Sequence, residues 1–158
     1  MRVLLIRPCC NPLPGDRMEI RTYRSEDRDQ LVALWDTVFP NSTGHNEPNG
    51  AIERKVLAAD SLFFVAADAG TIAGAVIAGY DGHRGWLYSL AVTPGNRRQG
   101  LGTRLVRHVE ASLESGGCPK LNLQVRAENA EVAAFYESLG FATSAVLSFL
   151  EQRVRVLP

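Results

Sequence analysis

The sequence has little of what marks export, metal binding or attraction to polyanions. Its three cysteines in 158 residues are an odd number. Cys9 and Cys10 are adjacent and Cys118 stands alone, which gives neither a disulfide framework nor a ligand spacing. The three histidines, His45, His83 and His108, also lack metal-ligand spacing, which predicts no metal. Seventeen basic residues balance seventeen acidic ones, so no global field would draw the chain to nucleic acid or to an anionic membrane. Any anion site must be local. The early apolar run "VLLI" is too short for a signal core or a membrane span. These absences predict a cytoplasmic protein with no nucleic-acid and no membrane partner. What is present suffices for one ordinary core, since 46% of the residues are hydrophobic. Regular patterning begins at Met18, so residues 1–17 read as an extension or start-site artefact ahead of one domain over 18–158.

"EIRTYR" alternates as a short strand, and Ser25 stands where a helix N-cap would, with Glu26 and Asp27 in the first turn. Leu31, Leu34, Trp35 and Val38 follow at helical spacing as far as Pro40. "PNSTGHNEPNG" is loop by composition, and "AIERKVLAA" predicts a short second helix. "SLFFVAAD" and "TIAGAVIAG", separated by "AG", read as an antiparallel hairpin, and "WLYSLAVT" as a strand in the middle of a sheet. From Gly100, Leu101, Leu105, Val109 and Leu113 mark a helix that "SGG" ends. "KLNLQVRA" alternates again, and "NAEVAAFYESLG" puts Val132, Phe135, Tyr136 and Leu139 on one helical stripe. The tail "FATSAVLSFLEQRVRVLP" can supply two final strands. The expected fold is α/β, a mixed and mostly antiparallel sheet of six to seven strands flanked by four helices.

The most suggestive stretch is "TPGNRRQGLGTRL", a glycine-rich turn that opens a helix. A helix N-terminus carries amides without intrahelical partners and the positive end of the dipole, which suits phosphate. A solvated turn with a plain cap is the bland alternative. The spacing Gly95-x-x-x-x-Gly100 is that of a triphosphate loop, but Leu101 and Gly102 stand where Lys and Ser/Thr are needed. The dinucleotide fingerprint also fails, because Arg104 and Leu105 follow Gly102 where a third glycine should come.

"Arg97-Arg98-Gln99-Gly100-Leu101-Gly102" after "LYSLAVTP" resembles the acyl-CoA pyrophosphate signature R/Q-x-x-G-x-G/A of the GNAT N-acetyltransferase superfamily. "LNLQVRAENAEVAAFYESLGF" looks like that family's second motif, and the resemblance runs from residue 18 to residue 150. "GYDGHRG", "IERK" and "GCPK" further resemble a YpeA-like bacterial branch. The resemblance implies a V-shaped splay between strands 4 and 5 that binds acetyl-CoA as cosubstrate. It places the pyrophosphate on Arg97, Arg98, Gln99, Gly100, Leu101, Gly102 and Thr103. The backbone of Leu90, Ala91 and Val92, where the family strand is bulged, would hold the pantetheine and the thioester carbonyl. Asn129 matches a cofactor-contacting asparagine, and helix N-capping is an equally good account of it. Tyr136 matches the general acid that protonates the departing thiolate. A phenol, with a reference pKa of about 10, is protonated at neutral pH.

The general base is not legible. Ribosomal-protein alanine acetyltransferases have a glutamate twelve residues before the tyrosine, where Gln124 stands here, and an amide cannot take that proton. Glu47, Asp81 and His83 are the candidates, each with a turn-forming alternative. Cys118 reads as a small buried residue before a strand rather than a nucleophile, and Trp35 and Trp86 as core or pocket wall. The implied activity is transfer of an acetyl group to a primary amine, small-molecule or peptide, by direct attack in a ternary complex. A non-catalytic acyl-CoA-binding module of the same fold is the alternative. A homodimer is one oligomeric state the sequence allows.

Overall fold

The computed structural model describes residues 18–143. The chain divides into two compact units, Met1–Gln124 and Val125–Pro158.

The first unit is built on a five-stranded sheet in the order β1-β2-β3-β4-β5, with β1 Glu19–Thr22, β2 Phe63–Asp68, β3 Thr71–Tyr80, β4 Gly85–Val92 and β5 Leu121–Leu123. The first three pairings are antiparallel and β4–β5 is parallel. Among the described residues five strands stand where six to seven were expected. The two strands expected of the tail fall on 141–158, of which 144–158 lie outside the described residues, and 141–143 form none.

Three helices flank this sheet: α1 Arg28–Val38, α2 Pro48–Ala58 and α3 Leu101–Ser115. Their starts differ from the expected ones in an instructive way. Ser25 is not the cap of α1; it opens a short 3-10 turn over Ser25–Asp27 instead. The carboxylate of Asp27 accepts the Arg24 N–H at 2.8 Å and both guanidinium nitrogens of Arg21 at 2.7 and 2.8 Å. Asp27 is only 2% exposed, so this pair is the one buried charge of the described core. Arg21, hydrogen-bonded to it, holds its carboxyl below the usual range. α2 begins three residues earlier than "AIERKVLAA" suggested. Glu47 accepts the N–H groups of Asn49 and Gly50 at 2.9 and 2.8 Å, and Pro48 at the first helical position needs no donor partner.

The sheet buries both faces. Leu31, Leu34, Trp35 and Ile52 of α1 and α2 close over Phe63, Val65, Ala75, Ile77 and Ala91 on one side. The other side is covered by α3, whose Leu101, Leu105, Val106, Val109 and Leu113 are all buried. A fully buried Leu or Val contributes about 1.5–3 kcal/mol, so this single stripe anchors α3 firmly. Gly74 sets how closely it lies. A Cβ there would meet Leu105 Cδ1 and the Ala91 carbonyl, both at 3.0 Å. The hairpin between β2 and β3 turns on Ala69 and Gly70, both at positive φ (46° and 85°), the geometry a two-residue hairpin loop requires.

In the second unit, α4 spans Ala130–Ser138 and buries Tyr136. The rings of Phe135 and Phe141 meet the Tyr136 ring edge-on, at centroid distances of 5.0 and 5.5 Å. No helix among the described residues is long and apolar enough to cross a membrane.

Candidate functional site

The splay between β4 and β5 is present. Their parallel pairing covers only Gly85–Leu87 against Leu121–Leu123, while β4 runs on to Val92. From Tyr88 onward β4 thus has no strand on its β5 side among the described pairings. The same segment is bulged. Ile77 pairs with Tyr88 and Ala75 with Ala91, so two intervening residues of β4, Ser89 and Leu90, oppose one of β3. Ser89 takes the strain with φ 47°, a left-handed conformation that costs a non-glycine residue about 1–2 kcal/mol. A bulge re-aims backbone groups out of the ladder. The sequence reading named Leu90, Ala91 and Val92 for this segment and missed Ser89, whose signal was a small polar residue inside an apolar run.

β4 leads directly into the glycine-rich turn. The Thr93 N–H donates to the Ala73 carbonyl at 2.9 Å and its hydroxyl donates to Asn96 Oδ1 at 2.8 Å, which pins the exit of the strand. A 3-10 turn over Pro94–Asn96 follows. Arg97 folds back so that its Nε donates to the Val92 carbonyl at 3.2 Å, and Gln99 donates from Nε2 to the Gly95 carbonyl at 2.9 Å. Arg98 (φ 58°) and Gly100 (φ 78°) then bend the chain into α3. A Cβ on Gly100 would meet nothing within 4 Å, so its side of the turn is open, and the positive φ is what calls for glycine. The first bond of the helix runs from the Arg104 N–H to the Gly100 carbonyl at 3.0 Å. The amides of Leu101, Gly102 and Thr103 precede it and have no place in the ladder, and no side chain caps this N-terminus.

The remaining candidates belong to other elements. Glu47 is engaged as the α2 cap, and the N–H groups of Gly50 and Asn49 hold its carboxyl below the usual range. Asp81 Oδ1 accepts the Arg84 and His83 N–H groups at 2.6 and 2.8 Å, which lowers its carboxyl likewise. His83 is exposed in that same β3–β4 turn, at the opposite end of β4 from the glycine-rich loop. In the second unit Asn129 occupies the N-cap position of α4, yet its side chain makes no cap bond, so capping does not account for that side chain. Burial pushes the Tyr136 phenol up to about 12. Cys118 is half-buried rather than buried, with Sγ 3.4 Å from the Lys120 carbonyl, and His108 packs edge-on against Phe64. Among the described residues no three His, Cys, Asp or Glu side chains gather as a metal site.

A sheet whose two parallel strands, β4 and β5, part at a bulge just before a helix without a side-chain cap is the frame of an acyl-CoA-dependent N-acetyltransferase. Residues 24–141 match the Acetyltransferase (GNAT) family, and the chain belongs to it. It is thereby an N-acetyltransferase with acetyl-CoA as cosubstrate. Among its relatives, an acetyltransferase of Sodalis glossinidius is 39% identical over 140 residues, covering 87% of this chain and 96% of that one. An acetyltransferase of Yersinia pestis (strain Pestoides F) is 42% identical over 129 residues, covering 80% and 89%. Among solved structures, the ribosomal-protein-S18-alanine N-acetyltransferase from Escherichia coli superposes with a TM-score of 0.66 at 28% identity, over 81% of this chain and 79% of that one. The aminoglycoside N-acetyltransferase AAC(6')-Iy, solved with CoA, shares the fold with a TM-score of 0.71 at 22% identity, over 87% and 95%.

Proposed function

We propose that the amides at the start of α3 hold the pyrophosphate of acetyl-CoA, and that the open edge of β4 from Tyr88 to Val92 holds its pantetheine arm. A primary amine then attacks the thioester directly in a ternary complex. The observation that carries this reading is the uncapped N-terminus of α3 placed at the exit of an unpaired strand edge. Each half suits one part of the ligand. The pyrophosphate is an anion for the dipole and the orphan amides. Pantetheine has two amides of its own and can extend the sheet as an added strand does.

The chemistry follows from the bulge. As the amine nitrogen bonds to the thioester carbon, negative charge develops on the carbonyl oxygen. Backbone N–H groups among Leu90 to Val92 that face the open edge of β4 would stabilise it as an oxyanion hole. Collapse of the tetrahedral intermediate breaks the C–S bond and leaves an amide and CoA thiolate. The amine must lose one proton, and the thiolate takes one up from water as it leaves. Tyr136, with its phenol near 12, stays protonated throughout the working pH range. Against a thiol reference of about 8.5, complete transfer of that proton is uphill by several kcal/mol. Its role is therefore best read as hydrogen-bond donation to the departing sulfur. Asn129 would contact the cofactor, which its uncapped side chain leaves it able to do.

Glu47 and Asp81 are both tied to backbone amides and held below the usual range, which makes them weak bases. The immediate proton acceptor is then water. His83 is the candidate outside such caps, and it lies more than four residues from the bulge, beyond about 13 Å of strand. Any part it takes runs through water.

A small-molecule amine is the acceptor class we assign, in keeping with a fold neighbour solved with the bisubstrate analog CoA-S-monomethyl-acetylneamine. Residues 1–17 are assigned to an extension and 18–158 to the catalytic domain. The test is calorimetry with acetyl-CoA, CoA and ATP, followed by CoA release across an amine library. Binding of both CoA forms with turnover of at least one amine is expected. ATP binding without acetyl-CoA binding would overturn the assignment.

A further inference from the structure

Tyr88 is the one aromatic side chain among the described residues that the fold leaves largely uncovered, at 47% exposure. Its neighbours on the same strand explain why this is unusual. Tyr88 pairs with Ile77 and shares a sheet face with Ala91, and both of these are buried under α1 and α2. The ring lies diagonally across β3 toward Gly79, where an added Cβ would sit 3.7 Å from Cε2 and 3.8 Å from the hydroxyl. The glycine thus gives the ring a flat bed, and the sheet covers it from one side only. Trp86, half-buried, pairs with Gly79 and stands two residues before Tyr88 on the same face.

Polar groups border this aromatic shelf. Lys55 of α2 donates to both Asp60 oxygens at 2.6 and 2.5 Å and to the Ala78 carbonyl, which ties the end of α2 to β3 beside Gly79. Asp81 closes the β3–β4 turn two residues beyond Gly79. Burial raises the Tyr88 phenol, and the carboxylates of Asp81 and Asp60 raise it further. The shelf ends where the bulge begins, at Ser89.

Resting on the acetyl-transfer reading above, we propose that Tyr88 is a positioning residue for the acceptor: its exposed ring face receives the alkyl chain and second positive charge of a diamine-like cationic substrate. Asp81, in the turn two residues beyond Gly79, adds a carboxylate at that end of the sheet. A cation over a tyrosine ring is held by the ring quadrupole, and a nearby carboxylate adds to that attraction. The shelf then delivers the amine to the bulge, where the thioester lies.

The test uses CoA-loaded enzyme and two probes of equal length, 1,5-diaminopentane and 1,5-pentanediol, followed by NMR of the Tyr88 ring, identified by its loss in Tyr88→Phe. The diamine should shift the ring resonances saturably, and the diol should not. Tyr88→Leu should weaken diamine binding about three- to tenfold, as loss of one cation–π contact implies. Tyr88→Phe should bind it as the wild type does. No shift with the diamine, an equal shift with the diol, or undiminished binding by Tyr88→Leu overturns the proposal. CoA affinity, measured on the same samples, separates this failure from failure of the cofactor site.

Discussion

The N-terminus of α2 differs from that of α3 in one respect. The first is served by an anion that the chain itself supplies. Glu47 accepts the N–H groups of Asn49 and Gly50. The second has glycine at its cap, no side-chain cap bond, and open space where a Cβ would be. Helix starts cost stability unless their amides are satisfied. An N-terminus without a side-chain cap, beside an unpaired strand edge, is what the proposed pyrophosphate site requires.

The largest effect should come from breaking the most buried of the protein's own anions. Asp27→Asn leaves Arg21 without its partner and should cost about 3–5 kcal/mol in denaturant unfolding. The pH dependence has a definite sign. Because Arg21 holds the Asp27 carboxyl low, the pair's stabilisation is complete above about pH 4 and is lost as pH falls through the depressed folded value. The stability gap between wild type and Asp27→Asn should therefore close on acidification. A gap that widens would contradict the assignment.

Gly100→Val tests the proposed phosphate-binding terminus. Valine at φ 78° is strained and places methyl groups beside the amides, so CoA affinity should fall about 100-fold, or about 2.7 kcal/mol, by calorimetry. Unchanged affinity in a folded variant would remove the phosphate role. Next in size is Tyr136→Phe, expected to lower kcat about tenfold, or about 1.4 kcal/mol, with acetyl-CoA affinity nearly unchanged. Since burial holds the phenol near 12, the wild-type rate should show no alkaline loss near pH 10 that the Phe variant lacks. The smallest effect belongs to Glu47→Ala. It should lower Tm by a few degrees through the lost cap and leave CoA affinity as it was. Weakened CoA binding in that variant would erase the distinction between the two kinds of helix start.

The sequence was most legible where side-chain pattern decides structure. The α3 stripe, the β2–β3 hairpin on Ala69-Gly70 and the glycine-rich turn stand where their residues indicated. It was less legible where a side chain acts on backbone at a distance. Ser25 looked like the α1 cap, but Asp27 is drawn inward by Arg21, a partner six residues away that no local pattern reveals. Glu47 looked like a loop carboxylate until Pro48 started α2 early. The bulge at Ser89 depends on register against β3, which exists only between strands. Tyr88 carries no motif at all. Its exposure is a property of which neighbours α1 and α2 cover.

The most direct test of the proposed phosphate site at the start of α3 is amide NMR of the labelled protein titrated with CoA and, separately, with pantetheine, which lacks the pyrophosphate. CoA should shift the amides of Gly100 to Thr103 strongly while those of Asn49 and Gly50 stay in place, and pantetheine should move only the β4 edge. CoA binding that leaves Gly100 to Thr103 unmoved would contradict the assignment of α3 as the phosphate-binding terminus.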